Sequence, residues 1–162
     1  MRKRAVVLVP FLLTLFIVPA LADDKGDIQA LIDDYCRTEG DLAAQAKLMT
    51  DDRIFINQGR RQTDQATNMK VQMAGQELNQ ELDPGAQLTV TGVDPIIRVY
   101  GDAAVASFYR FWDVIPSAKF VKANPDVDTS GPAPNVVTLV VVKQDGAWKI
   151  AHTHQSPLRP NN

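Results

Sequence analysis

The sequence predicts an α+β domain in which a cone-shaped, curved antiparallel or mixed sheet wraps around about three N-terminal helices. Three observations lead to this fold class. Apolar residues recur at helical spacing in the N-terminal half, and alternating, β-branched residues dominate the C-terminal half. Two tight-turn pairs, Gly101-Asp102 and Asp145-Gly146, predict hairpins in that second half. Helices followed by antiparallel strands favour a layer of helices packed on one face of a sheet.

The first 22 residues have the organisation of a cleavable export signal. A basic start, Arg2 to Arg4, precedes an apolar stretch from Ala5 to Val18, and the small residues Ala20 and Ala22 suit a signal peptidase. A retained membrane anchor is the alternative, but prolines bracket a run shorter than the roughly 18 residues that a span needs. We expect a mature domain that begins at Asp23, is periplasmic or secreted, and has no membrane attachment after cleavage.

Charge and composition limit the possible functions. The chain has 162 residues, of which 45% are hydrophobic and 22% charged, as in one ordinary globular domain. Loss of the three basic residues of the signal lowers 17 basic side chains to 14, against 19 acidic ones, for a net charge of -5. This balance does not favour nucleic-acid binding. Because no glycine-rich phosphate loop is present, we expect no nucleotide cofactor, and none of another kind.

Cys36 is the only cysteine, so an internal disulfide is impossible. Its position in a helical pattern predicts a buried, small apolar side chain, while a reactive thiol or a link between two chains is the alternative. The domain is expected to span residues 23–157, with residues 158–162 as a frayed tail.

The N-terminal half predicts three helices. Asp27 can cap the first, Gly40 ends it, and one face carries the apolar residues Ile28, Leu31, Ile32 and Tyr35. Asp41 can cap a second, shorter helix, which is followed by a short strand at 54–56. A third helix begins near Thr63 or Asp64, with an apolar side formed by Ala66, Met69, Met73 and Leu78.

The C-terminal half predicts two hairpins. Leu88 to Val99 pairs with Ala103 to Ile115, and Pro95 indicates a bulge or an edge because it cannot donate to a ladder. The segment Pro116 to Pro134 is interpreted as a connecting loop. The second hairpin joins Val136–Val142 to residues 148–154.

The strand Val136–Val142 is apolar on both of its faces. Helices can cover only one face, and a second copy of the molecule is the simplest cover for the other. We therefore expect a homodimer through the outer face of the sheet.

Several segments resemble the nuclear transport factor 2-like superfamily, and within it the SnoaL-like group. The resemblance rests on Gly40-Asp41, Thr50-Asp51-Asp52, the hairpin from Val99 to Val105 and the closing segment from Asp145 to Ser156. The closing segment is also similar to the association (hub) domain of calcium/calmodulin-dependent kinases. The resemblance covers nearly the whole mature chain and implies the fold, but this fold serves isomerases, cyclases, dehydratases, hubs and binding modules.

Three kinds of site are possible within this resemblance. Ketosteroid-isomerase-like proton transfer needs a carboxylate base and an acid such as tyrosine. The position that corresponds to the isomerase base is Asn57, whose amide cannot take a proton, and Tyr35 lies two residues out of register with the isomerase tyrosine.

The second possibility is a catalytic pair made by His152 or His154 with Asp113. The two histidines are two residues apart on a strand and so point to the same side, where they could relay a proton. A metal site would need more ligands than these, and we assign none. The alternative is that both imidazoles bond to neighbouring strands or to a dimer partner.

The third possibility is a pocket for an anion. Arg98 and Arg110 lie on adjacent predicted strands, and a guanidinium suits a carboxylate. The resemblance to the kinase hub implies that both line a pocket, together with Gln155 and Leu139, which replace arginines of the hub. Tyr109, Trp112 and Asn57 complete the predicted ligand-binding set. The alternative is that each arginine pairs with a local carboxylate or reaches solvent.

Two functional classes follow. The first is an exported small-molecule-binding domain with a pocket in the cone for an anionic or carboxylate ligand. The second is a cofactor-free SnoaL-like isomerase, cyclase or hydratase that uses a His/Asp pair. The sequence leaves open whether the protein is an enzyme, and a purely oligomeric interaction domain is a third possibility.

Overall fold

The structure is a computed structural model that describes residues 23–128 and 131–158. The predicted export signal and most of the predicted tail lie outside the described residues. None of the described helices is long and apolar enough to cross a membrane.

Within the described residues, four α-helices precede or connect the strands: α1 Asp24–Arg37, α2 Leu42–Ala46, α3 Gln65–Leu82 and α4 Ala118–Ala123. A 3-10 turn, Thr38–Gly40, extends α1 to the predicted glycine. Asp41 caps α2 by accepting from the amide of Ala44, and Asp64 caps α3 by accepting from the amide of Thr67, as the sequence predicts. Asp27 does not cap α1, because that helix begins three residues earlier, after Asp23.

The helix α4 was not predicted. It lies within the proline-rich segment interpreted as a loop, and Ser117 begins it by accepting from the amide of Phe120. The buried carboxylate of Asp83, at the end of α3, accepts from the amide of Ser117 at 2.8 Å. This contact ties the start of α4 to the end of α3.

Six strands form one mixed sheet in the order β2-β1-β6-β5-β4-β3. Their bounds are β1 Met49–Asn57, β2 Arg60–Gln62, β3 Gln87–Tyr100, β4 Ala103–Ile115, β5 Ala133–Gln144 and β6 Ala147–Pro157. All neighbours are antiparallel except β1 and β6, which run parallel. The α+β class and both predicted hairpins are confirmed.

Pro95 lies at a bulge and on an edge strand. The sequence predicts one or the other for this proline, and the structure has both. The register between β3 and β4 shifts between Val93 and Ile96, and Asp94 takes a positive φ of 53°. β3 is the last strand of the sheet, so the missing amide hydrogen of Pro95 costs no central ladder bond.

One face of the sheet, here called the inner face, packs against α1 and α3. Alternate residues of β4 and β5 point into it and are buried: Ala104, Ala106, Phe108, Val137, Leu139 and Val141. A bulge in β6 shifts its register between the partners of Val140 and Val141. After that bulge Thr153 points inward and is fully buried, so the neighbouring residues His152 and His154 face the opposite, outer side.

The close approach of α1 to β3 requires a glycine at position 92. A Cβ added there would lie 3.2 Å from Cys36 Sγ and 3.2 Å from Phe108 Cδ2. Cys36 is buried at this contact, as predicted, and burial raises the pKa of its thiol to about 11. The thiol therefore packs in the core, and its raised pKa favours the protonated form.

The inner face of α3 differs from the predicted apolar side. Met69 and Met73 do face inward, but Ala66 and Leu78 are exposed. The remaining inward positions carry amides, which we call the amide stripe: Gln65, Asn68, Gln72 and Gln76. The prediction was wrong for Ala66 and Leu78 because the helix buries polar side chains on this face.

Candidate functional site

Arg110 is the centre of a buried polar cluster on the inner face of β4. Its Nη1 donates to Glu39 Oε2 at 3.3 Å and to the Tyr35 hydroxyl at 3.4 Å, and its Nη2 donates to Gln155 Oε1 at 2.7 Å. The guanidinium also lies 5.2 Å from the centre of the Trp112 ring. Arg110 is 3% exposed and Glu39 is 6% exposed, so their ion pair is shielded from water.

A second guanidinium, that of Arg53 on β1, is buried on the same inner face of the sheet. We call the space between this face and the helices the cone. Arg53 is 2% exposed, and its Nε donates to Gln65 Oε1 at 2.9 Å. Its Nη1 donates to the hydroxyl of Thr153 at 3.3 Å, and the group lies 4.9 Å from the centre of the Phe55 ring. None of these partners is charged, and no ion pair between Arg53 and a carboxylate lies among the described residues.

Tyr35 and Glu39 are one helical turn apart and respond electrostatically to both guanidinium groups. Burial raises the pKa of the Tyr35 hydroxyl, while the charges of Arg110 and Arg53 act in the opposite direction. Burial also raises the pKa of the Glu39 carboxyl, against the lowering effects of Arg110, the Gln45 hydrogen bond and Arg53. Burial lowers the pKa of Arg53. We call Tyr35, Glu39, Arg53, Arg110 and Gln155 the cone cluster.

The cone cluster contains more hydrogen-bond donors than acceptors. Arg110 Nε and Arg53 Nη2 are buried and have no hydrogen-bond partner among the described residues. An unsatisfied buried donor costs about 1–3 kcal/mol, and more when it is charged. The arrangement can therefore accept an oxygen-rich anion, for which two guanidinium groups supply the donors.

An open cleft on the surface shares one residue, Glu39, with this cluster. It encloses about 400 Å³ between the end of α1 and the first half of β3, and Cys36, Glu39 and Gly92 are among its lining residues. Glu39 thus belongs both to the cleft and to the cone cluster.

Four of the predicted ligand-binding residues lie on the inner face. Arg110, Gln155 and Trp112 are in contact, as described above. Asn57 is half-buried at the end of β1 and is in register with Gln155 on the parallel strand β6. By the alternation that buries Phe55, its side chain belongs to the same face.

Arg98 and Tyr109 lie on the outer face and are not brought to this cluster. Arg98 is exposed, and its Nη1 donates to the carbonyl of Ile97. Tyr109 is 40% exposed and alternates with the buried Phe108 and Arg110. Arg98 and Arg110 do lie on adjacent strands, but they point to opposite faces and do not share one pocket.

The structure does not bring the two histidines to Asp113. His154 pairs with Thr138 on β5, and Thr138 pairs with Ser107 on β4. Asp113 lies six residues further along β4 than Ser107. That separation is about 20 Å along the strand. Among residues 23–128 and 131–158, no three histidine, cysteine, aspartate or glutamate side chains are grouped to hold a metal ion.

His152 is half-buried on the outer face. Burial lowers the pKa of its imidazole, with smaller contributions from the nearby charges of His154 and Arg53. The imidazole is therefore biased toward its neutral form.

Sequence reasoning missed Glu39 and Arg53. Glu39 follows Tyr35 by four residues, so it continues the inward stripe of α1, and Arg53 precedes the buried Phe55 by two residues on the same strand face. Both periodicities were visible in the sequence. Neither residue is apolar, so the apolar periodicity of these segments does not mark them as inward.

Helices packed on one face of a six-stranded mixed sheet form an α+β fold of the nuclear transport factor 2-like kind. The family model of the SnoaL-like domain matches residues 28–160, and the chain belongs to that family. A comparison with curated protein sequences finds no match.

Solved structures agree with this fold. A nuclear transport factor 2-like protein with a cystatin-like fold from Novosphingobium aromaticivorans is 15% identical, with a TM-score of 0.66 over 85% of this chain and 84% of that chain. The hub homology domain of calcium/calmodulin-dependent kinase II from Chlamydomonas reinhardtii is 17% identical, with a TM-score of 0.64 over 84% and 99%. A candidate ketosteroid isomerase from Shewanella frigidimarina is 19% identical, with a TM-score of 0.56 over 78% and 92%.

Proposed function

We propose that this protein is an exported binding domain whose cone holds a small molecule through a carboxylate or another anionic group. The observation that carries the proposal is the charge of the cone cluster. Two buried guanidinium groups, those of Arg53 and Arg110, face one carboxylate, that of Glu39. A bound anion would balance the second guanidinium and would accept from the two unpaired N–H groups.

Native mass spectrometry of the protein purified from its source tests this proposal. We expect a bound organic acid at one molecule per chain. The acid should be absent from Arg53→Met, which removes the guanidinium that the Glu39 carboxylate does not pair with. Arg98→Met is the matched control, since it removes an arginine from the outer face and should retain the acid. A wild-type protein that carries no ligand and binds no carboxylate probe contradicts the proposal.

A second candidate function is turnover by a cofactor-free isomerase, cyclase or hydratase. The observation that favours it is the Glu39 carboxyl, which lines the cleft, has a pKa raised by burial, and lies beside Arg110 and Tyr35. A carboxylate with a raised pKa is suited to act as a general base. Loss of turnover with retained binding in Glu39→Gln would favour this function over simple binding.

A homodimer through the outer face is part of the proposal. Four apolar side chains on β3 and β4 support it, because each is between 38% and 54% exposed: Val93, Ile96, Val105 and Tyr109. Exposed apolar side chains clustered on one sheet face are typical of an interface. Analytical ultracentrifugation should give a dimer for the wild type and a monomer for Val105→Asp. A monomeric wild type contradicts this part of the proposal.

Export is proposed from the sequence of residues 1–22. N-terminal sequencing of protein from the native host should give Asp23 as the first residue. An intact N-terminus on the cellular protein would contradict export by cleavage.

A further inference from the structure

The amide stripe of α3 contacts the cone cluster at both of its ends. At one end Gln65 accepts from Arg53 at 2.9 Å, and at the other end Gln76 donates to the backbone carbonyl of Glu39 at 3.2 Å. The rise of an α-helix places these ends about 16 Å apart. The two middle amides, Asn68 and Gln72, therefore lie between Arg53 and Glu39.

These two middle amides lack partners. Asn68 is 3% exposed, and neither its Oδ1 nor its Nδ2 makes a hydrogen bond within the described residues. Gln72 Nε2 is likewise buried and unpaired there. Buried amides are normally satisfied, because each group left without a partner costs about 1–3 kcal/mol.

An apolar side chain at position 68 would avoid that cost. Two methionines already occupy inward positions of the same helix, Met69 and Met73, so the site tolerates apolar residues at neighbouring positions. The amide of Asn68 offers one acceptor and two N–H donors one helical turn from Gln65, the partner of Arg53, and Gln72 adds further donors. Such groups recognise uncharged hydroxyls and amides.

We infer that the ligand of the cone is a hydroxylated or amide-bearing carboxylic acid, whose uncharged polar groups bond to Asn68 and Gln72 while its carboxylate lies at Arg53 and Arg110. This inference rests on the proposed function. It adds the chemistry of the part of the ligand beyond the carboxylate. A fatty or purely aromatic acid would leave the amides of Asn68 and Gln72 unpaired and would bind more weakly.

Isothermal titration calorimetry with two acids of equal chain length tests the inference on the mature chain. Gluconate carries hydroxyls along its chain, and hexanoate carries none. We expect gluconate to bind at least 10-fold more tightly than hexanoate. Asn68→Leu and Gln72→Met should each weaken gluconate about 10-fold, the loss expected for one unmade bond, and should change hexanoate less than twofold. Asn79→Leu, at an exposed position of the same helix, is the matched control and should change neither.

The possible failures separate the two proposals. If hexanoate binds as tightly as gluconate, or if both α3 variants leave gluconate unchanged, the carboxylate site stands and the inference about the ligand body is wrong. The second result would mean that water satisfies the amides. If neither acid binds the wild-type protein, the proposed anion site fails, and the inference fails with it. Thermal unfolding of each variant confirms that it is folded, and the two α3 variants give independent tests if one does not fold.

Discussion

Replacing Arg110 by methionine should destabilise the protein, because Arg110 pairs with the buried carboxylate of Glu39. Arg110→Met keeps much of the side-chain volume but leaves the Glu39 carboxylate buried without its cation. Breaking a buried pair in this way costs about 3–5 kcal/mol. Glu39→Gln in the same background removes the stranded charge and should restore most of that stability.

The pH dependence of this cost follows from Glu39. In the variant, Glu39 can avoid a buried unpaired charge by taking up a proton. The free energy needed for this depends on the pH, and pH 8 lies 3.5 pH units above the ordinary Glu pKa of 4.5. At about 1.36 kcal/mol for each unit, the charge contributes at most about 5 kcal/mol at pH 8 and about 2 kcal/mol at pH 6. The cost of Arg110→Met should therefore fall by up to about 3 kcal/mol between pH 8 and pH 6.

Urea unfolding at both pH values measures these differences. With a slope near 2 kcal/mol/M, a loss of 4 kcal/mol moves the midpoint by about 2 M. The double variant Glu39→Gln/Arg110→Met should show the same midpoint shift at both pH values. A cost for Arg110→Met that does not change between pH 8 and pH 6 would show that Glu39 does not carry the charge that Arg110 balances.

Three further outcomes follow from the structure. Burial raises the folded pKa of Glu39, so the stability from this group is fully present below pH 4.5 and is lost as the pH rises through the folded pKa. Hexanoate should correspondingly bind more tightly below the folded pKa of Glu39 than above it, and Glu39→Gln should abolish this pH dependence in calorimetry. Gly92→Ala should lower the free energy of unfolding by about 1–3 kcal/mol in urea titrations, because the alanine Cβ crowds the Cys36 sulfur and the Phe108 ring. An unchanged urea midpoint would mean that α1 moves away from β3 without cost. The folded pKa of His152 lies below 6.5, so the wild type should lose stability as the pH falls through 6.5, and His152→Gln should lose less. Equal losses of stability in both proteins would contradict the burial of that imidazole.

The order of elements could be predicted because local signals agreed with the fold. Asp41 and Asp64 cap the helices that the sequence assigns to them, and the Asp145-Gly146 turn, with φ values of 51° and 81°, closes the second hairpin. Pro95 marked both the bulge and the edge. These features depend on a few residues and their immediate neighbours, so the sequence alone is enough to find them.

The interior of the cone was harder to predict because it is polar. Periodicity identifies an inward face by its apolar residues, yet α3 turns amides inward and β1 buries Arg53. The histidines were assigned to the site because they share one side of β6. That side is the outer one, because the bulge before Thr153 reverses the alternation, and no residue type in the segment reveals the bulge.

The parallel contact between β1 and β6 has a consequence for how the chain reaches its native state. In chain order, the last strand of the sheet lies between the first strand and β5, so β1 and β2 have no sheet to join until β6 is in place. Contacts that span about 100 residues form slowly, since the closure of a long loop must precede them. Arg53 gains its Thr153 contact and Arg110 its Gln155 contact only when β6 is in place, so the last strand completes the cone cluster.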